Sequence, residues 1–224
     1  FAAGRNGSVL VTGAGTSWVA DAIAVGDLAN GSLIIEGGAT FTAAIDASIG
    51  KNAGSSGNVL VTGAGSALST NSTLDVGAGD NATLRVENGG TVNGWVRVLG
   101  HGTLSGNGTI IGDTDIHNGG TLVGEQGQTL TLGNLSLSPG SNVNVALGTP
   151  GNATGLFTVN GSLTIDGTLN VANAGGFGAG VYRIFDYTGS LGDGGLDVGA
   201  MPSGTTGTVQ TAVANQVNLL VSGI

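Results

Sequence analysis

The sequence predicts an all-β chain wound as a right-handed parallel β-helix, a solenoid of about 25 residues per coil with a C-terminal antiparallel β cap. Three observations predict it: a glycine-rich composition almost without charge, near-identical strands that recur every 24 to 26 residues, and Asn-Gly pairs spaced as corners. Charged residues make up 8% of the 224 positions, against roughly a quarter in ordinary soluble domains, and glycine fills 46. That balance excludes a helical bundle. A hydrophobic content of 40% and a mean hydropathy of +0.30 argue against a disordered coil, because the chain has apolar surface to bury. Glycine has no three-residue period and Pro occurs three times, which excludes a collagen-like helix.

The repeat is direct. Val9-Leu10-Val11-Thr12-Gly13-Ala14-Gly15 returns as Val59-Leu60-Val61-Thr62-Gly63-Ala64-Gly65, and the segment around Leu33 returns around Leu84. Val9, Leu33, Val59 and Leu84 follow at intervals of 24, 26 and 25 residues, which sets the elementary unit. Within each unit Val9/Val11, Leu33/Ile35, Val59/Val61 and Leu84/Val86 fall on one side, with Leu10, Ile34, Leu60 and Arg85 opposite. That is the two-residue period of a strand. A unit this short cannot bury its apolar face alone, so equivalent strands must stack in parallel at ~4.8 Å per coil. Neither a helix nor an Asn/Cys ladder recurs, so a leucine-rich repeat does not fit. Seven Asn-Gly pairs supply positive φ at corners, among them Asn88-Gly89 and Asn118-Gly119.

The coil pattern runs to about residue 133. Beyond it strands are expected closer together, at Leu135 to Leu137, Val143 to Leu147, Leu156 to Val159, Leu163 to Ile165 and Leu169 to Val171. Four of the nine aromatics lie between Phe177 and Tyr187. Val209 to Val213 and Val217 to Val221 alternate around Ala214-Asn215 as an antiparallel hairpin, which reads as a terminal cap. A cap is required, because the last coil would otherwise present open strand edges and an uncovered interior. The chain is therefore expected to divide into coils at 1–133 and a C-terminal β-helix end with cap at 134–224. It gives a stalk of roughly seven coils, about 34 Å long.

Function classes narrow quickly. Fourteen acidic and five basic residues give a formal charge of −9 with no cationic cluster, so nucleic acid is not an expected partner. No run approaches the ~20 apolar residues that a bilayer-spanning helix needs. Zero cysteines exclude disulfides and thiolate metal sites. The chain begins at Phe1 without a signal-type region and stops at Ile224 without an anchor, and so reads as an excised fragment. A β-helix can also carry a polysaccharide lyase or glycosidase, which would need a groove of carboxylates and basic residues across adjacent coils. The five basic residues, Arg5, Lys51, Arg85, Arg97 and Arg183, are scattered. Asp113, Asp115 and His117 share one face by alternation, but Ca²⁺ needs six or more oxygens, and a solvated outer face is the reading adopted. His101, beside Gly102, belongs to a turn. There is no Gly-x-Ser-x-Gly elbow, and Gly13-Ala14-Gly15 meets Trp18 where a dinucleotide loop needs its third glycine. Catalytic residues, cofactors and metal ligands are therefore all expected to be none. Eight Asn-x-Ser/Thr sequons, such as Asn30-Gly31-Ser32, read as corner chemistry. Trp18 and Trp95 stand open between exposed binding aromatics and covers for a coil interior.

The stretch Val159-Asn160-Gly161-Ser162-Leu163-Thr164-Ile165-Asp166-Gly167-Thr168-Leu169-Asn170-Val171, then Tyr182-Arg183-Ile184-Phe185-Asp186-Tyr187 and the segment from Gly204 through Val221, resembles the pertactin-type C-terminal region of bacterial autotransporter passenger domains. The resemblance extends over essentially the whole chain. It implies a secreted or cell-surface, non-enzymatic stalk, held at the outer membrane through a C-terminal barrel outside this sequence. It also implies that residues 134–224 act as an intramolecular chaperone for the upstream coils. The partners it implies are a host-surface or extracellular-matrix ligand, or self-association between cells. The absence of Cys fits a chain that crosses a pore unfolded.

Overall fold

The computed structural model describes residues 5–223, so the chain ends read above at Phe1 and Ile224 lie outside it. Every regular element among the described residues is a β-strand. The first sheet is a parallel ladder of nine strands, from Gly7–Thr12 at one end to Asp197–Val198 at the other. Its register aligns Val9, Leu33, Val59, Leu84, Leu104, Leu122, Val143, Leu169 and Val198. Successive coils therefore take 24, 26, 25, 20, 18, 21, 26 and 29 residues. Eight steps give about 38 Å of solenoid, one coil more than the sequence spacing suggests. The close spacing expected only after residue 133 in fact begins at Leu84, and the parallel ladders run unbroken past Gly133 and Asn134.

The other sheet shows why coil length varies. In the first coils it is built of long strands, Ser17–Val25, Thr40–Ile49, Ala67–Val76 and Thr91–Val98, each turning a corner in mid-strand. Register slips near Ala20 and Ser69 mark that bend. Thr91–Val98 is the pivot, since its first half pairs with Thr109–Ile110 and its second half with Thr114–Ile116. From there each bent strand is replaced by two short ones separated by a corner, as in Leu130–Leu132 with Leu135–Leu137 and Phe157–Val159 with Leu163–Ile165. Three short strands per coil are what the sequence spacing registers as tightening.

Alternation sends one residue in two inward, and the inward residues stack into apolar columns. One runs Trp18, Phe41, Leu68, Val92, Ile110, Leu132, Val159 and Tyr187. Burying each such side chain is worth about 1.5–3 kcal/mol, and the columns supply the main drive for stacking. In the last coils the core turns aromatic: Phe157 and Phe185 stack at 5.1 Å, as do Phe177 and Tyr182. The buried Tyr182 hydroxyl accepts from the Gly178 amide at 3.0 Å and lies 3.1 Å from the Gly148 and Gly178 carbonyls, so its polar tip is satisfied.

The C-terminal end is closed as expected, with shifted bounds. Gly180–Tyr187 pairs antiparallel with Gln216–Gly223, which pairs antiparallel with Thr205–Gln210. The first hairpin strand thus lies upstream of the Val209 to Val213 expected, because Val213 belongs to the turn that ends at Asn215 with φ of 64°. Val217, Leu219 and Val221 point inward and are buried. In the first described coil Val9 is 37% exposed although its ladder partner Leu33 is buried, and Trp18 is 39% exposed above the buried Phe41.

Candidate interaction surfaces

On the second half of the bent sheet, alternation places Asp113, Asp115 and His117 outward, as the sequence predicts. Each carboxylate is engaged by a neighbouring coil. Asp113 accepts from the Asn134 amide at 2.8 Å, and Asp115 accepts from the Trp95 indole N–H at 2.7 Å. Arg97 stands between Asp75 and Asp115 in the ladder and donates twice to Asp75, at 2.8 and 2.7 Å. The Asp75 carboxylate, with Asp115 nearby, raises the guanidinium pKa still further. The His117 imidazole Nε2 is buried without a hydrogen-bond partner among the described residues. No three His, Asp or Glu side chains among those residues converge on a metal position. What this face offers is a half-solvated charge ladder that ties four coils together, each exposed pair contributing a fraction of a kcal/mol.

The two tryptophans separate. Trp18 belongs to the interior column and meets Phe41 edge-on at 4.8 Å, so it covers the interior of the first described coil. Trp95 stands on the outer face, 47% exposed, its ring fixed by the bond to Asp115. Four of the five basic residues are in ion pairs: Lys51 with Asp46, Arg85 with Glu87, Arg97 with Asp75 and Arg183 with Asp186. His101 is exposed in a turn. Several sequon asparagines act as corner staples. The Asn30 amide oxygen accepts from the Ser56 amide and hydroxyl, Asn134 accepts from the Ser162 amide, and Asn152 exchanges bonds with the Arg183 backbone.

A groove not among the expectations above lies on the outer face of the first sheet. A recess of about 430 Å³ opens where the coil beginning at Gly102 is shortest. That coil turns from Gly102–Gly106 into Thr109–Ile110 through two residues, Asn107-Gly108, while the corner before it takes residues 88–90 and the one after takes 126–129. Its floor is Ser105 and Asn107. One wall carries Arg85 and Glu87, the other Glu125 and Gln128. Asn107 braces both sides, accepting from the Asn88 amide at 2.8 Å and donating to Gln128 Oε1 at 2.5 Å. This is the cross-coil arrangement of carboxylates and a base that a polysaccharide-active enzyme would need. Here, however, Arg85 is committed to Glu87 and Glu125 is exposed, whereas catalytic carboxyls are tuned by burial. The signal for the groove was present in Gly106-Asn107-Gly108, but only comparison of adjacent corner lengths turns it into a depression.

No family model matches the chain. It is 53% identical over 102 residues, covering 42% of this chain, to a protein of Brucella suis biovar 1 (strain 1330) described as "Adhesin BmaC autotransporter". The matched stretch spans 3% of that adhesin's length.

Proposed function

We propose that this chain, a segment of an autotransporter passenger, is a rigid cell-surface spacer whose lateral faces make adhesive contacts, without enzymatic activity. One observation carries the reading: a nine-stranded parallel ladder runs from Gly7–Thr12 to Asp197–Val198, and the neighbouring sheet ends in an antiparallel hairpin of Thr205–Gln210 with Gln216–Gly223 docked on Gly180–Tyr187. A one-dimensional array of that kind gains reach and surface with every coil, which suits display and contact. The similarity to a protein named as an adhesin supports the same role. Anchorage at the outer membrane would come from a barrel beyond this segment. The partners are a host-surface or extracellular-matrix ligand, or the same protein on another cell. Residues 134–224 would promote folding of coils 1–133 during secretion.

Beads coated with the pure chain should bind cultured host cells, matrix-coated plates or one another saturably and in proportion to coating density. Retention no greater than that of albumin-coated beads in all three formats would sink the adhesive role. The groove favours a second reading, a carbohydrate-cleaving β-helix, and a direct assay separates the two. Pure protein incubated with pectin or polygalacturonate should release no product, and dose-dependent release would establish the enzyme instead.

A further inference from the structure

The recess over the shortest coil is built, and its chemistry is specific enough to name a ligand class. We propose that it binds a neutral oligosaccharide. This supplies a ligand for the adhesive role proposed above.

The recess depends on glycine. A Cβ on Gly106 would stand 1.9 Å from the Val86 carbonyl oxygen, and one on Gly108 would stand 2.6 Å from that of Gly90, so no other residue lets this coil sit so close beneath its neighbour. The two walls are one coil to either side of the floor, about 10 Å apart, which admits a single pyranose ring. Because Asn107 already bonds to both walls, little side-chain freedom is lost when a ligand enters.

The polar groups select the ligand. Glu87 and Glu125 are acceptors, the Arg85 N–H groups not engaged by Glu87 are donors, and Asn107, Gln128 and Ser105 can do both. A ligand that satisfies such a mixed surface must itself carry many groups that donate and accept, which is the chemistry of vicinal sugar hydroxyls. Two carboxylates against one guanidinium, on a chain of net charge −9, repel uronates, sulfated glycans and phosphates. Gly102–Gly106 is paired along its length with Ala82–Val86 and at Thr103 and Leu104 with Thr121 and Leu122, so a peptide strand would find only the short edge at Ser105 and Gly106 to join.

The test is an amide NMR titration of the intact chain with cellohexaose, mannohexaose, the hexamer of N-acetylglucosamine and a polygalacturonate hexamer. At least one neutral hexamer should shift the amides of Ser105, Gly106, Asn107 and Glu125 and saturate, with Glu125→Gln weakening it about tenfold and Trp95→Ala leaving it unchanged. Three results would overturn the assignment: none of the neutral hexamers moving those amides at about 10 mM, Glu125→Gln binding as tightly as the parent, or the polygalacturonate hexamer binding as well as the neutral ones. The bead assay keeps the two proposals apart. Adhesion that persists with a silent groove removes this site alone, and sugar binding without adhesion removes the adhesive role alone.

Discussion

Gly106 stands beside Val86, and Gly124 beside Val145, on the inward side of the first sheet where the coils are shortest. Gly124 leaves the volume that Phe157 fills, since a Cβ there would lie 2.6 Å from the end of that ring. Gly106 also has φ of 126°, a region L side chains rarely adopt, so its substitution meets a steric and a backbone penalty together. Gly106→Ala should cost about 3 kcal/mol, read as a fall in the urea midpoint at constant slope. A midpoint within experimental error of the parent would refute the close-packing account. Thr114 presents the opposite case. It lies fully buried between Val96 and Leu135 in an otherwise apolar column, and its hydroxyl has no partner among the described residues. Thr114→Val keeps the shape and removes the stranded hydroxyl, so it should raise stability by about 1 kcal/mol. A lower midpoint would mean that the hydroxyl is bonded in solution.

Corners are the elements that hold coil to coil, and Asp80 shows how one is charged. Its carboxylate accepts from the Asn81 amide at 2.7 Å and, one coil away, from the Gly54 amide at 2.8 Å. Those bonds favour the ionised form and lower its pKa below the ordinary aspartate value, the Asn81 amide acting most strongly. With the folded pKa depressed, the contribution is complete above the unfolded value and is lost as pH falls through the folded one. The Gly54 amide resonance should therefore titrate with a midpoint below that of a free aspartate, and Asp80→Asn should abolish the titration. A midpoint at or above the free value would contradict the geometry. At this scale the sequence is legible wherever apolar residues alternate: Leu135–Leu137 and Leu163–Ile165 are found where expected, and so is the column through Val9, Leu33, Val59 and Leu84. It is less legible where a strand earns its place by pairing alone. Thr205–Gln210 has no apolar alternation before Val209, so the hairpin reads as starting late. Coil lengths of 20 and 18 after Leu84 were hidden for a related reason: the apolar columns persist while the corners between them shorten. The outer-face geometry of Asp113 and Asp115 could be read from alternation, but their partners Asn134 and Trp95 lie on other coils, beyond any local pattern.

Over the whole molecule, structure differs in how locally it can begin. At the last coil the interior is shut by Val217, Leu219 and Val221 and stiffened by two aromatic stacks. Each new parallel pairing must close a loop of 18 to 29 residues before any contact rewards it, as the register intervals require. The hairpin of Thr205–Gln210 with Gln216–Gly223 closes through five residues, so it is the cheapest structure to nucleate. Once it has docked on Gly180–Tyr187, each upstream coil adds to a ready edge, and stability follows nearest-neighbour terms along the array. The proposed chaperone role of residues 134–224 is supported by that difference between a five-residue hairpin turn and long-loop closure. Expressed alone, 134–224 should be soluble and unfold cooperatively in urea, while 1–133 should be unfolded or aggregated, and mixing the two should restore β-structure to the upstream fragment. Circular dichroism and urea melts of both fragments decide the matter. If 1–133 refolds by itself as readily as the intact chain, then coil stacking nucleates anywhere and the hairpin does no more than seal the end.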